Sequence, residues 1–132
     1  MLRSNLFFSP AAYRQRVKSP LEYGLGIVNA LEIQAAPAAL YSQLAALGER
    51  LCEPPTRDGW PGGRRWLNHF TVVGRANLAA ALAGDSARPA ESLLAALVQN
   101  DLPAEVAGRV ARIQNPRDLV QAIATLPEFQ LA

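Results

Sequence analysis

Prolines mark the starts of several segments in which apolar residues recur every three or four positions, and this combination limits the possible folds most. The segment 19–22 reads serine, proline, leucine, glutamate, which is a capping box with proline at the first helical position. Tyr23, Ile27 and Leu31 follow at four-residue spacing, the spacing of one helix face. The sequence therefore predicts a helix from Pro20 to about Leu31.

A leucine stripe predicts the second helix. Pro37 is its expected first residue, and leucines follow at spacings of four, three and four residues: Leu40, Leu44, Leu47 and Leu51. Side chains at these spacings lie on one side of a helix. We therefore expect the whole stripe to lie in the core.

Downstream, cap and stop residues outline further helices. One is expected to run from near Trp66 to Gly84, since glycine commonly ends a helix. Polar residues then precede prolines at three places, and each is expected to cap a short helix: Ser86, Asp101 and Asn115. Apolar residues at helical spacing follow each of these caps.

The N-terminal segment 5–17 is partly apolar and is interrupted by Pro10, which indicates a short helical turn followed by a helix. No segment of comparable length alternates between apolar and polar residues as a strand would. The patterns together predict an all-α fold, a compact bundle of about six or seven short helices. A half-hydrophobic chain of 132 residues suffices for one core and is short for two. We expect one domain over 1–132, with 86–132 as a helical tail packed on the rest.

One long loop interrupts the predicted helices. Residues 53–65 contain three prolines and three glycines, which excludes a regular helix there. The loop and the residue just after it hold both tryptophans of the chain, Trp60 and Trp66. A functional site is therefore best sought in this tryptophan loop, residues 53–66.

Composition argues against several functional classes. The formal net charge is only +2, whereas phosphate-backbone binding needs a concentrated positive face, so we predict no nucleic-acid binding. No stretch reaches the roughly 20 apolar residues of a membrane span, and the pattern of an export signal peptide is missing. Cys52 is the only cysteine, so neither an internal disulfide nor a cysteine-based zinc cluster can form. We expect a soluble chain whose compartment the sequence leaves open.

Five short motifs follow one another along nearly the whole chain: residues 13–23, 47–55, 59–68, 75–77 and 127–130. The most distinctive reads glycine-tryptophan-proline-glycine-glycine at 59–63, followed by tryptophan-leucine-asparagine at 66–68. In this order the motifs resemble the C-terminal part of an uncharacterised bacterial family, domain of unknown function 1800. The resemblance implies that a large helical region precedes this part in longer family proteins, and it implies no reaction. Two departures from the family pattern stand at 56–58 and at His69.

The tryptophan loop suggests ligand binding, because aromatic faces beside polar donors suit a sugar ring and arginine forks suit an anion. The predicted ligand-binding residues are Trp60, Arg64, Arg65, Trp66, Asn68, Arg75 and Asn77. The alternative is structural, since a tryptophan flanked by glycine and proline often fills the core beneath a loop. Similarly, the charged residues near the capping box and on a helix flank are expected to pair on the surface: Arg14, Arg16, Lys18, Glu22 and Arg75.

His69 is the only histidine, and with Asp58 as an orienting partner it is the natural acid–base candidate. The alternative is a solvated histidine at a helix start. The sequence has no recognisable serine elbow and no metal-ligand spacing. We therefore predict no catalytic class, no metal site and no cofactor.

Two functions remain open. The first is a non-catalytic helical module that packs against a protein partner or against the N-terminal region of a longer family protein. The second is a binding domain, with hydrolysis as a further option, for a carbohydrate or another polar small ligand at the tryptophan loop. Exposed apolar faces favour the first function, and ligand binding that depends on Trp60 favours the second.

Overall fold

The computed structural model describes residues 5, 9–84 and 88–132 of the chain. In this part the chain forms seven α-helices: α1 (Pro20–Leu31), α2 (Pro37–Ala46), α3 (His69–Ala83), α4 (Ala90–Val98), α5 (Ala104–Val110), α6 (Pro116–Thr125) and α7 (Pro127–Gln130). A 3-10 helix, Gly63–Trp66, precedes α3. Strand pairing in the described part is limited to the isolated bridges Val17–Leu131 and Thr56–Gly59. The all-α prediction is therefore confirmed.

Helix α1 begins where its capping box predicts. The Ser19 side chain accepts a hydrogen bond from the Glu22 backbone N–H, and the Glu22 carboxylate accepts one from the Ser19 N–H at 2.8 Å. Glu22 also accepts two hydrogen bonds from the Arg16 guanidinium, at 2.6 and 2.7 Å. Tyr23 and Ile27 are fully buried, as the four-residue spacing predicts. The cap therefore orients the apolar face of α1 toward the core.

The core lies around α3 and α6, the helix pair that packs most extensively; α1 packs against α3, α4 packs against α6, and α1 and α4 pack against each other. Ala79 of α3 and Val120, Ile123 and Ala124 of α6 are completely buried. Each buried valine or isoleucine stabilises the fold by about 1.5–3 kcal/mol. The segment after residue 87 is thus joined to the N-terminal helices by a shared apolar core.

Glycine allows a close approach between α1 and α2. A Cβ atom added at Gly24 would lie 3.1 Å from Cδ2 of the buried Leu44. The leucine stripe is only partly in the core, because α2 ends at Ala46 and Gly48 turns the chain with φ +97°. The prediction that Leu51 is buried is wrong: it follows the helix and is 36% exposed.

Two further predictions are corrected in the described residues. Residues 9–14 form bends and turns, and residues 15–17 reach only the bridge at Val17, so the helix predicted within 5–17 is wrong over 9–17. Asp101 does not cap α5, whose first turn has no side-chain cap, because its carboxylate accepts the Tyr13 hydroxyl at 2.7 Å and pairs with Arg14.

The C-terminal segment has one of the predicted side-chain caps and one more helix than predicted. Asn115 caps α6 as predicted, accepting the backbone N–H of Arg117. Ser86 lies outside the described residues. Pro127 begins α7, a fourth helix in the segment where three were predicted.

Candidate functional site

The tryptophan loop is held by a tight turn at its centre. The Gly59 N–H donates to the Thr56 carbonyl, the Thr56 hydroxyl donates to the Gly59 carbonyl, and both distances are 3.1 Å. Gly59 has φ +95°, a conformation that favours glycine. The turn places Arg57 and Asp58 at its exposed tip.

A concavity of about 420 Å³ lies beside this turn, and we call it the Trp60 concavity. Its lining includes Thr56, Asp58, Trp60, Pro61 and Arg65. Trp60 is half-buried. Its indole Nε1 is buried without a hydrogen-bond acceptor in the described part of the chain. The concavity therefore combines an aromatic surface with a carboxylate and a guanidinium, and a buried unsatisfied donor belongs to the same indole.

Trp66, the second tryptophan, has a different environment. It is 6% exposed and forms part of the buried hydrophobic set, with its ring 3.9 Å from the position a Cβ would take at Gly48. The Thr71 hydroxyl donates to the Trp66 carbonyl at 2.9 Å. Trp66 therefore packs in the core, as the structural alternative predicts for a tryptophan of this loop. Trp60 instead lines the concavity and is only half-buried. Arg64, between them in sequence, is exposed.

Asn68 and His69 begin α3. The Asn68 side-chain oxygen accepts the N–H groups of Phe70 and Thr71, each at 3.0 Å, and so serves as the helix cap. His69 is exposed, and its ring lies 4.0 Å from that of Phe70. In the described residues no hydrogen bond or ion pair joins His69 to Asp58. The structure thus does not bring the two acid–base candidates together as an oriented pair.

Arg75 lies in the core, away from the loop. It is 0% exposed, so the expectation that it pairs on the surface is wrong. Its two terminal nitrogens donate to the Gln130 side-chain oxygen and to the Lys18 carbonyl, both at 2.7 Å. Its guanidinium also lies over the Tyr23 ring at 5.0 Å. Arg75 therefore joins α3, the segment before α1 and the C-terminal helix, because these three partners come from different elements.

Electrostatics around Arg75 follow from burial. Desolvation lowers the pKa of Arg75 and raises the pKa of Tyr23, whose hydroxyl donates to the Arg75 carbonyl at 3.0 Å. Desolvation, and next the charge of Arg14, lower the pKa of the half-buried Lys18. The Lys18 ammonium donates to the Phe129 carbonyl at 2.8 Å. These groups are held by internal partners and serve the packing of the termini of α1 and α7.

Asn77, the last predicted residue, is exposed and lines an apolar groove of about 350 Å³ between α2 and α3. We call it the α2–α3 groove; its lining is Gln43, Ala46, Leu47, Phe70, Thr71, Gly74, Asn77, Leu78 and Ala81. Phe70 is 76% exposed, and Val73, one turn further along α3, is 60% exposed. The predicted site residues therefore separate into the loop, the core and this groove.

Sequence reasoning missed the exposure of Phe70 and Val73, although a signal was present. Residues 70, 73, 77 and 81 recur at helical spacing on one side of α3, and Leu78 and Leu82 recur on another. A helix that is apolar on more than one side must either be surrounded by the rest of the fold or expose one apolar side to solvent. In α3 the side that carries Phe70 is open in the described part of the chain.

The described residues offer neither a metal cluster nor a membrane-spanning helix. Among the described residues, no three or more His, Cys, Asp or Glu side chains are grouped so that they could hold a metal ion. None of the helices that these residues form combines the length and apolar character needed to cross a membrane.

A family model matches nearly the whole chain. The model of the family described as "Protein of unknown function (DUF1800)" matches residues 1–131. No curated protein and no solved structure matches the chain significantly.

Proposed function

Because the chain belongs to the DUF1800 family, whose description assigns no activity, we propose its function from its own surface: a non-catalytic helical module that binds a protein partner. The α2–α3 groove is the proposed binding surface, and the occupant is an apolar face of a partner helix. A helix from the N-terminal region of a longer family protein is the intramolecular form of the same contact.

The exposure of Phe70 carries the proposal. A phenylalanine side chain that is 76% exposed leaves most of its apolar surface in water, and Val73 adds to the same side of α3. Covering the Phe70 ring would contribute about 1.5–3 kcal/mol to an interface. Large aromatic side chains of this kind commonly dominate the binding energy of protein interfaces.

The lining of the groove determines what could occupy it. None of its lining residues is charged, and only Gln43, Thr71 and Asn77 carry polar side chains. An apolar occupant therefore gives up few hydrogen bonds to water when it binds. An anionic or strongly polar occupant would find few hydrogen-bond partners in the groove to replace those bonds. These features support an apolar protein segment as the occupant.

Small residues favour a helix as that segment. Gly74 is so close to Leu47, the residue that follows α2, that an added Cβ would lie 2.6 Å from Leu47 Cδ2, so α3 closely approaches the C-terminal end of α2. Ala46 and Ala81 contribute only small side chains to the lining. A groove between two helices, with an exposed aromatic at one end, is the surface used in helix-in-groove recognition.

The absence of an oriented pair supports the non-catalytic part of the proposal. In the described residues His69 contacts Phe70 and is not bonded to Asp58. An aspartate that orients a catalytic histidine hydrogen-bonds to the histidine ring, and the described residues contain no such bond. The features of α3 favour a docking role over acid–base chemistry.

The test uses a fluorescently labelled peptide that forms an amphipathic helix with leucine and alanine on one side. Its binding to the full chain is measured by fluorescence anisotropy. We expect saturable binding that Phe70→Ser weakens by about tenfold to a hundredfold, as the loss of 1.5–3 kcal/mol implies. Leu25→Ser is the matched control, because Leu25 is 40% exposed on α1 and does not line the groove.

Three results would contradict the proposal. One is equal binding of a scrambled peptide that has no apolar side. Another is unchanged affinity in Phe70→Ser. The third is self-association in sedimentation experiments that Phe70→Ser abolishes, which would make a second copy of this chain the occupant.

A further inference from the structure

The Trp60 concavity is a second surface with features of a ligand site, and it shares no lining residue with the α2–α3 groove. Its volume of about 420 Å³ falls within the usual range of small-molecule sites, about 300–1,000 Å³. We propose that this concavity binds a neutral saccharide. The inference goes beyond the proposed protein docking and stands or falls separately from it.

The aromatic component is Trp60. Its indole ring is half-buried in the concave lining, so the ring is held in place while part of its surface stays accessible to a ligand. The CH groups of a sugar ring pack against such an aromatic face, and its hydroxyls remain free for hydrogen bonds. The glycines and prolines around Trp60 leave this surface uncrowded, since neither Gly59 nor Gly62 has an atom within 4 Å of an added Cβ.

The polar component consists of Asp58 and Arg65. Both side chains are exposed, and neither forms a hydrogen bond or an ion pair in the described part of the chain. A carboxylate accepts hydrogen bonds and a guanidinium donates them, so together they can satisfy hydroxyl groups in both directions. Charge-assisted hydrogen bonds of this kind are about twice as strong as neutral ones.

The charges of the lining select among polar ligands. The lining holds one carboxylate and one guanidinium, so its formal charge is zero. Arg65 alone would suit a phosphate or a carboxylate, but Asp58 in the same lining repels an anion. A neutral ligand with many hydroxyl groups avoids this repulsion and uses both side chains.

The indole N–H of Trp60 gives an independent reason to expect an added acceptor. It is buried and has no acceptor among the described residues. A buried donor without a partner is unfavourable, and native structures usually supply one. A saccharide hydroxyl, reached by a small shift of the loop, would supply that acceptor.

The experiment follows the two indole N–H signals of the isotopically labelled full chain by two-dimensional nuclear magnetic resonance. Trp60→Phe identifies which signal belongs to Trp60, since Trp66 supplies the other. Cellobiose, chitobiose, maltose and inorganic phosphate are titrated separately. We expect one disaccharide to shift the Trp60 signal saturably and phosphate to leave it unchanged.

Substitutions then test the polar contacts. Asp58→Asn and Arg65→Gln are each expected to weaken disaccharide binding by about tenfold, because each removes a charged hydrogen-bond partner. Arg64→Gln is the matched control: Arg64 is exposed and adjacent in sequence but does not line the concavity. The remaining signals of each variant report whether the fold is intact.

The proposal is overturned if no disaccharide shifts the Trp60 signal at tens of millimolar. It is also overturned if only phosphate does so, or if Arg64→Gln weakens binding as much as Arg65→Gln. None of these outcomes affects the peptide experiment on Phe70, because the two surfaces have separate lining residues.

Discussion

Replacing Arg75 with methionine should show how much of the fold depends on one buried guanidinium. The substitution keeps a long side chain in the core but removes both donors, leaving the Lys18 carbonyl and the Gln130 side-chain oxygen without them. Each unsatisfied buried oxygen costs about 1–3 kcal/mol. Part of this loss is offset, because methionine no longer has the desolvation penalty that lowers the pKa of Arg75. We expect a net loss of about 2–4 kcal/mol.

The assay is urea unfolding followed by far-ultraviolet circular dichroism, with thermal unfolding beside it. For a chain of 132 residues a loss of this size lowers Tm by on the order of 10 °C. Arg112→Met is the control, because Arg112 is exposed and its side chain has no hydrogen-bond partner in the described residues. A loss in Arg75→Met below about 1 kcal/mol, or equal to the control, would refute the assignment of Arg75 as a structural tie.

A double-mutant cycle separates the two partners of Arg75. Gln130→Leu also removes the hydrogen bond that the Gln130 amide donates to the Ala124 carbonyl at 2.7 Å, so its own cost is included in the cycle. Residues in direct contact couple by about 0.5–3 kcal/mol. We expect a coupling of this size between Arg75 and Gln130, whereas zero coupling would mean that the Lys18 carbonyl carries the whole effect.

Two further predictions concern α1. Gly26→Ala should stabilise the chain by about 0.5–1 kcal/mol, since its added Cβ meets only Phe129 at 3.7 Å, while Gly24→Ala should gain less or lose stability against Leu44 at 3.1 Å. Equal thermal shifts in both variants would contradict this. The pKa of Glu22 lies below its ordinary 4.5, chiefly because Arg16 donates hydrogen bonds to it. The resulting stability is present above pH 4.5 and lost as pH falls through the lowered pKa, so Glu22→Gln should flatten the acid limb of a stability–pH curve.

Local signals in the sequence predicted the elements well. The capping box at Ser19, the proline at position 37 and the Asn115 cap each fix a helix start through contacts within a few residues. Such contacts depend little on the rest of the chain. The structure therefore agrees with the predicted start of α1 at Pro20, with its predicted end near Leu31, and with Pro37 as the first residue of α2.

Long-range contacts account for what the sequence could not predict. Aspartate is a common helix cap, but the Asp101 carboxylate accepts a hydrogen bond from the Tyr13 hydroxyl, 88 positions away in sequence. Leu51 continues the leucine spacing, but the helix ends before it, since Gly48 turns the chain. Arginine is usually a surface residue, so the sequence predicts that Arg75 is exposed. The oxygens that accept its hydrogen bonds belong to Lys18 and Gln130, which lie near opposite ends of the chain. Spacing along the chain contains none of this information.

The candidate site divided for the same reason. Trp60 and Trp66 are six positions apart in sequence, and both are predicted to bind a ligand, but Trp66 packs near Gly48 and Trp60 lines a concavity. Trp66 is the buried last residue of the 3-10 helix Gly63–Trp66, whereas Trp60 lies in the loop before that helix. Because the core holds Trp66, the loop that carries Trp60 is anchored at its end. An anchored loop can keep Asp58, Trp60 and Arg65 in one lining. A substitution that loosens the packing of Trp66 should therefore lower the affinity for a ligand bound beside Trp60, although Trp66 does not line the concavity.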